Sequence, residues 1–252
     1  RRAHAAAAAS ISQLPEKPRL DLGEVHTYLR CPRRYYYRVV LGLAGRGEPS
    51  AYVRFQRCVW HAVRQAAAAR AAGKPNGSQE ARAALEERWR AHGPVGHPHE
   101  PLLRARAEEI VERLAGGEEL AAEVVDEPEL VAELEGGAVR VRVHSLGRDA
   151  QGRLVAEWWD TGRPPLDRAA DGRFALMRRA AQKRAGEAGA ALVAVRFGQT
   201  GELRILPPRP EAEARALERY ERALASIAAG EHPPRPHPRT CAHCPFLFAC
   251  PA

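Results

Sequence analysis

The chain has 252 residues, 45% hydrophobic and 28% charged, which is ordinary globular composition and long enough to bury one sizeable core or two small ones. Its 39 Lys and Arg against 31 Asp and Glu leave a formal charge of +8 and a pI near 9.6, which favours an anionic partner such as nucleic acid. There is no stretch of about 18 or more apolar residues, and the run Ala5–Ala9 is too short and too weakly apolar for a signal peptide, so a soluble, cytoplasmic protein with no membrane role is expected. The basic residues are nearly all Arg, with only Lys17, Lys74 and Lys183 as Lys, so part of the positive charge reflects residue usage. The start at Arg1-Arg2, before an unpatterned segment, reads as a piece of a larger protein with residues 1–19 as linker.

Asp21 is placed to cap a helix carrying Leu22, Val25 and Leu29, which should end near Cys31-Pro32 because the residue before proline disfavours helical backbone. Helix is expected again from Tyr35 to Leu41, closing at Gly42. A long helix should run from Tyr52 to Ala72 and stop at Gly73, followed by helices near 80–91 and 102–114. Residues 20–118 thus read as a helical part. The pattern then changes: Val139-Arg-Val-Arg-Val-His144 alternates as a half-buried strand does, and a turn at Asp149–Gly152 leads into a second strand from Leu154 to Trp159. Helix 173–188, strands 191–197 and 202–206 and a helix from Pro210 to Ala229 complete a sheet core over 119–230, ahead of a Pro- and Cys-rich tail at 231–252. The expected class is α/β, one domain over 20–252 with a small mixed sheet flanked by helices.

That tail carries Cys241-x2-Cys244-x5-Cys250, a spacing at which thiolates wrap a metal; in a cytosolic protein, close-set cysteines are metal ligands more often than disulfides. Three ligands leave a tetrahedral Zn or an iron–sulfur cluster one short, and Cys31 is the natural fourth. From spacing alone, a Zn knuckle completed by His243 or His237, or free thiols, stay open. Cys58, inside a helix, reads as a buried core thiol.

Cys31-Pro-Arg-Arg-Tyr-Tyr-Tyr37, followed by Leu41-Gly42-Leu43, and the tail Cys241-x2-Cys244-Pro-Phe-x3-Cys250 together resemble the RecB-like branch of the PD-(D/E)XK nucleases, as in AddB-type helicase–nuclease subunits and CRISPR-associated exonucleases. The likeness runs from residue 20 to 252. It implies a restriction-endonuclease-like core, with Cys31, Cys241, Cys244 and Cys250 holding a [4Fe–4S] cluster that clasps the two ends of the domain; Zn is the alternative.

The resemblance also implies a nuclease site, and the chain departs from it. His61 matches the family's helix histidine. The family's metal-binding Asp falls on His144, its second acidic residue on Trp158 and its lysine on Asp160, anchored by Thr161-Gly162-Arg163. A Gln-x3-Tyr expected on the next helix falls on Ala175 and Arg179. Phosphodiester hydrolysis of this type needs at least two carboxylates on Mg²⁺ or Mn²⁺ and a lysine, and imidazole and indole do not replace them for Mg²⁺. Alternation puts His144 with Arg142, and Trp158 with Asp160, on facing sides of the hairpin, a basic and aromatic pocket. A one-residue slip would bring in Glu157 instead, but it would turn every side chain over and still lack the lysine. His61, His144 and Asp160 together would suit a softer transition metal.

The expectation is therefore an inactive nuclease-like domain acting as a DNA-binding and scaffold module in DNA recombination and repair. Its partners would be DNA, single-stranded or at duplex ends, and a helicase motor in the same chain or a partner subunit. No phosphate-binding G-x4-G-K-[ST] occurs, so ATP-dependent helicase activity would lie elsewhere in the full-length protein or in that partner. Arg33, Arg34, Tyr35, Tyr36 and Arg142 are the expected DNA contacts. The alternative is an active metal-dependent single-strand exonuclease with migrated catalytic residues.

Overall fold

A computed structural model describes residues 17–43, 49–74, 77–116, 123–124, 129–162, 172–186 and 189–251. It divides into two compact units, residues 1–47, 131–141 and 210–252 forming the first and 48–130 and 142–209 the second.

In the first unit a short strand β1 (Arg19–Asp21) precedes helix α1 (Leu22–Arg30), so the part expected to be wholly helical opens with a strand. Helix α1 starts where the sequence places it: the Asp21 backbone N–H donates to Glu24 Oε2 at 2.8 Å, half of a capping box. It stops at Cys31, whose extended backbone is what a following proline demands. Pro32 then opens a second short helix α2 (Pro32–Tyr35), continued by a π-helical turn at Tyr36–Val40. Strand β1 pairs in parallel with β4 (Gly137–Arg142), in a three-stranded sheet of order β1-β4-β3, where β3 is Glu129–Leu134. Helix α7 (Pro210–Ala228) buries Tyr220, Leu224 and Ile227.

Gly137 is what lets β4 meet the chain before β1. Its φ is +146°, and a Cβ there would lie 2.3 Å from the Pro18 carbonyl oxygen, the acceptor for the Ala138 N–H at 2.9 Å. Gly137→Ala is expected to destabilise the domain by about 2 kcal/mol or more, read as a lowered urea midpoint at unchanged slope.

In the second unit three helices, α3 (Ala51–Ala71), α4 (Gly77–His92) and α5 (Glu100–Gly116), pack around a shared core. Phe55, Val59, Ala62, Val63 and Ala66 recur at helical spacing along α3 and meet Leu85 and Trp89 of α4, Ile110, Val111 and Leu114 of α5, and Trp159. The five-stranded sheet has order β2-β5-β6-β7-β8, with β2 Glu123–Val124, β5 Ser145–Arg148, β6 Leu154–Asp160, β7 Ala191–Phe197 and β8 Leu203–Ile205. Only β6 and β7 run parallel, so the chain crosses between them, and helix α6 (Gly172–Ala185) lies on that crossover.

One expected strand is divided. The alternating run 139–144 is not a single strand: β4 ends at Arg142, β5 begins at Ser145, and the two belong to different sheets. The hairpin through Asp149–Gly152 forms as expected, joining β5 to β6 with Ser145 opposite Glu157. His144 falls at the break, where its backbone N–H already donates to the Glu157 carbonyl at 3.0 Å.

Candidate nucleic-acid site and cysteine clasp

At the strand break the His144 imidazole is enclosed by three indoles. It stacks on Trp60 of α3 with ring centroids 4.8 Å apart and planes at 24°, meets the edge of Trp158 at 4.8 Å and 78°, and lies parallel to Trp159 at 5.9 Å. The backbone N–H of Trp159 donates to His144 Nδ1 at 3.0 Å, so the neutral ring carries its proton on Nε2. Burial, followed by the charges of Arg64 and Arg173, pushes the His144 pKa down to about 3. At neutral pH this ring is uncharged.

Helix α3 addresses this site with a single stripe. Gln56, Trp60 and Arg64 are spaced four apart and so share a face. Thr161 Oγ1 donates to Gln56 Oε1 at 3.2 Å, Trp60 stacks on His144, and Arg64 supplies positive charge. The Arg173 guanidinium lies 5.0 Å over the Trp158 ring, within cation–π range. None of Gln56, Trp60, Arg64 or Arg173 was singled out from the sequence, although the four-residue spacing was there to be read.

The carboxylates go elsewhere. Glu157 is only 5% exposed, and its Oε1 accepts from Arg196 Nε and from Trp159 Nε1, each at 2.6 Å. In the register of the hairpin Ser145 stands opposite Glu157, and the rings that meet His144 from β6 are those of Trp158 and Trp159. Asp160 Oδ1 accepts from the Gly162 backbone N–H at 2.7 Å and shapes the turn after β6. His61 does not join this site: it lines a groove of about 380 Å³ between α3 and α4 with Gln65, Glu80, Ala83, Ala84 and Glu87, one residue round the helix from Trp60. Burial, reinforced by Arg88 and Arg64, also pushes the His61 pKa down. Ala175 is buried in α6 and Arg179 is exposed on it, so no Gln-x3-Tyr equivalent is formed there.

Among the described residues no three His, Cys, Asp or Glu side chains are grouped so as to hold a metal ion. Around His144 the donors are a neutral imidazole, indoles and arginines, a set that does not fit Mg²⁺ or Mn²⁺.

The other feature singled out by the sequence, the cysteines, lies in the first unit. Cys31 sits between α1 and α2, Cys241 ends helix α8 (Pro238–Cys241), and Cys244 and Cys250 bracket a 3₁₀ turn at Leu247–Ala249; all four are half-buried free thiols. Tyrosines bind the two chain ends together. Tyr37 Oη donates to the Ala249 carbonyl at 2.6 Å and its ring meets Phe246 at 5.4 Å, Tyr28 Oη donates to the Glu231 carbonyl at 2.7 Å, and Arg235 Nη1 donates to the Leu29 carbonyl at 2.7 Å. The His237 backbone N–H donates to Cys241 Sγ at 3.3 Å, the kind of bond that supports a thiolate. Thiolate chemistry therefore suits a soft metal centre here, although these thiols are not drawn into a closed ligand group. Cys58 is fully buried, as expected, with its thiol pKa raised by burial.

The expected DNA contacts separate into three kinds. Tyr35 is 1% exposed, packed edge-on against Tyr28 at 5.5 Å and beside His232 at 5.8 Å, and burial pushes its hydroxyl up to about 12. Its ring belongs to the core, so it is not a stacking platform for bases. Tyr36 packs on His232 at 5.2 Å, with the Arg33 guanidinium 5.6 Å over its ring, while Arg34 is half-buried. Arg142 is largely exposed, with Glu129 at 3.6 Å.

No curated protein sequence is matched by this chain. The fold resembles a crystal structure from Eubacterium rectale named as a candidate exonuclease, with 12% identity, 98% of this chain and 91% of that one covered and a TM-score of 0.51. The structure of SSO0001 aligns at 14% identity over 98% of this chain and 93% of that one, with a TM-score of 0.34, and carries no weight. Among the described residues no helix is long and apolar enough to cross a membrane. The model of the PD-(D/E)XK nuclease superfamily matches residues 22–251, nearly the whole length, and the chain belongs to that superfamily.

Proposed function

We propose that this domain is a nuclease fold that has given up cleavage and serves as a DNA-binding scaffold module of the RecB-like, AddB type, working beside a helicase motor in recombination and repair. The observation that carries the reading is His144. It stands where the family's metal-binding Asp falls, it is neutral, its Nδ1 is taken by the Trp159 N–H, and indoles fill the space around it. The carboxylates of β6, Glu157 and Asp160, are committed to Arg196 and to a turn. A hydrolytic site needs charged oxygen ligands and a base, and these residues supply neither. The net charge of +8, with Arg64 and Arg173 acting on His144, supports an anionic partner.

In this reading Cys31, Cys241, Cys244 and Cys250 are the four ligands of a [4Fe–4S] cluster, which would supply a covalent tie between two segments already joined through Tyr37 and Ala249. Zinc on the same thiolates is the alternative.

The test is an anaerobic iron and zinc assay with a visible spectrum, beside a Mg²⁺/Mn²⁺ nuclease assay on labelled single strands. About four irons per chain, absorbance near 400 nm and no cleavage are expected. Zinc alone would replace the cluster, absence of both metals would remove it, and cleavage lost in His144→Ala or Asp160→Ala would establish the exonuclease alternative.

A further inference from the structure

We propose that the Trp158–Arg173 stack beside His144 is a seat for one unstacked nucleobase of a single strand, held without any metal ion. The proposal rests on the nucleic-acid-binding reading above and adds to it where a strand engages and by what chemistry. Trp158 is half-exposed, with the Arg173 guanidinium over its ring at 5.0 Å and the His144 ring against it at 4.8 Å. The half-exposed indole, with a guanidinium over its face and the imidazole set nearly perpendicular to it at 78°, offers an aromatic and cationic surface against which another flat ring can stack.

The polar chemistry around that surface is one-sided. His144 Nδ1 already accepts from the Trp159 N–H, so Nε2 offers a donor. Arg64 and Arg173 act on His144 electrostatically, and Arg142 acts on Arg64, so positive charge surrounds the ring. Glu157, next to Trp158 in sequence, is paired with Arg196 at 2.6 Å. A ligand matching these features has a flat aromatic portion and a negative charge a few bonds away, as a nucleotide does. An acidic peptide lacks the flat ring and a lipid headgroup lacks it too. A duplex keeps its bases stacked inside, so a single strand or a frayed end is the form that fits.

This seat also explains what stands in place of the metal-binding acids. A nuclease holds the phosphate through a metal, whereas here the base would be held and the phosphate would meet arginine, so affinity should not depend on a divalent cation. Stacking on an aromatic side chain is worth about 5- to 150-fold in affinity, the equivalent of about 1–3 kcal/mol per base.

The experiment is fluorescence anisotropy with a labelled oligothymidylate on the whole domain, at one fixed salt concentration, in EDTA and in Mg²⁺, with quenching of intrinsic tryptophan fluorescence read in parallel. Wild-type affinity should agree within about twofold between the two buffers. Trp158→Ala and Arg173→Ala should each weaken binding by about 5- to 150-fold, Trp158→Phe should recover most of the loss, and Arg82→Ala on the far helix should change it by less than about twofold. Quenching should diminish in Trp158→Phe while binding persists. Circular dichroism and urea midpoints establish that the variants fold, and Trp158→Phe serves as the readout if Trp158→Ala does not. Binding that survives both alanine substitutions would overturn the seat and leave the nucleic-acid reading standing. Binding that requires Mg²⁺ would overturn its metal independence. No binding by the wild-type domain would overturn both readings.

Discussion

Glu157→Ala is expected to cost about 3–5 kcal/mol of folding free energy, among the largest effects of any single substitution in this domain. Glu157 and Arg196 are 5% and 2% exposed on neighbouring strands, and Glu157 Oε1 accepts from both Arg196 Nε and Trp159 Nε1 at 2.6 Å. Removing the carboxylate leaves a guanidinium and an indole N–H inside a low-dielectric core, and the penalty for burying a charge without its counterion dominates the loss. Replacing both members together, as Glu157→Leu with Arg196→Met, removes the charge and its partner at once and should restore most of the stability. Urea denaturation of the two single variants and the double variant measures this. A loss under about 1 kcal/mol for Glu157→Ala would show that the pair is not the buried anchor described. The same variant separates structure from chemistry, since a migrated catalytic carboxylate would abolish cleavage with little change in stability.

Lowering the pH from about 6.5 to 3 should destabilise the native protein relative to His144→Asn. The folded pKa of His144 is about 3 against an ordinary value of 6.5. Above 6.5 the ring is neutral in both states and contributes its full stability. Between 6.5 and 3 the unfolded chain takes up a proton that the folded chain refuses, so stability falls with pH at a limiting slope of about 1.4 kcal/mol per unit. Below about 3 the folded ring also charges and the slope vanishes. The refusal has a structural cause: a proton on Nδ1 would displace the Trp159 N–H and place a cation beside Arg64 and Arg173. In His144→Asn the side-chain oxygen can accept from Trp159 without titrating. Other histidines held below their ordinary pKa, such as His61 and His232, contribute equally to both proteins and cancel. Urea midpoints across this range should diverge as the pH falls, and parallel curves would refute the neutral, enclosed ring.

Local chemistry made much of this fold readable. The Asp21 start of α1 and its end at Cys31-Pro32 follow from a cap and a proline, and Gly73 ends the helical segment of α3 at a φ of +70°. The turn at Asp149–Gly152 is likewise short-range, with Asp149 Oδ1 accepting the Gln151 and Arg153 N–H groups. What could not be read locally was pairing. The alternation of Val139 to His144 is the same whether the run is one strand or two, and only the partners, β1 for one part and β6 for the other, divide it. Strand β1, three residues long, shows no period of its own, whereas β3 alternates over its six residues and is as legible as β4.

The site divides the same way. The sequence resemblance puts His144, Trp158 and Asp160 at the family's acidic and lysine positions, counted from Thr161-Gly162, and sets Cys31 beside the three tail cysteines in one expected motif. The tertiary structure alone decided that Trp60 and not His61 meets His144, since adjacent helical residues point about 100° apart and only packing says which faces the sheet. It alone decided that Tyr35 lies in the core, because a run of three tyrosines looks the same in sequence whichever ring the interior takes. It also settled the fate of Glu157. The local sequence does not say what a carboxylate on a strand will meet, and here the neighbouring strand supplies Arg196, 39 residues away, as its partner.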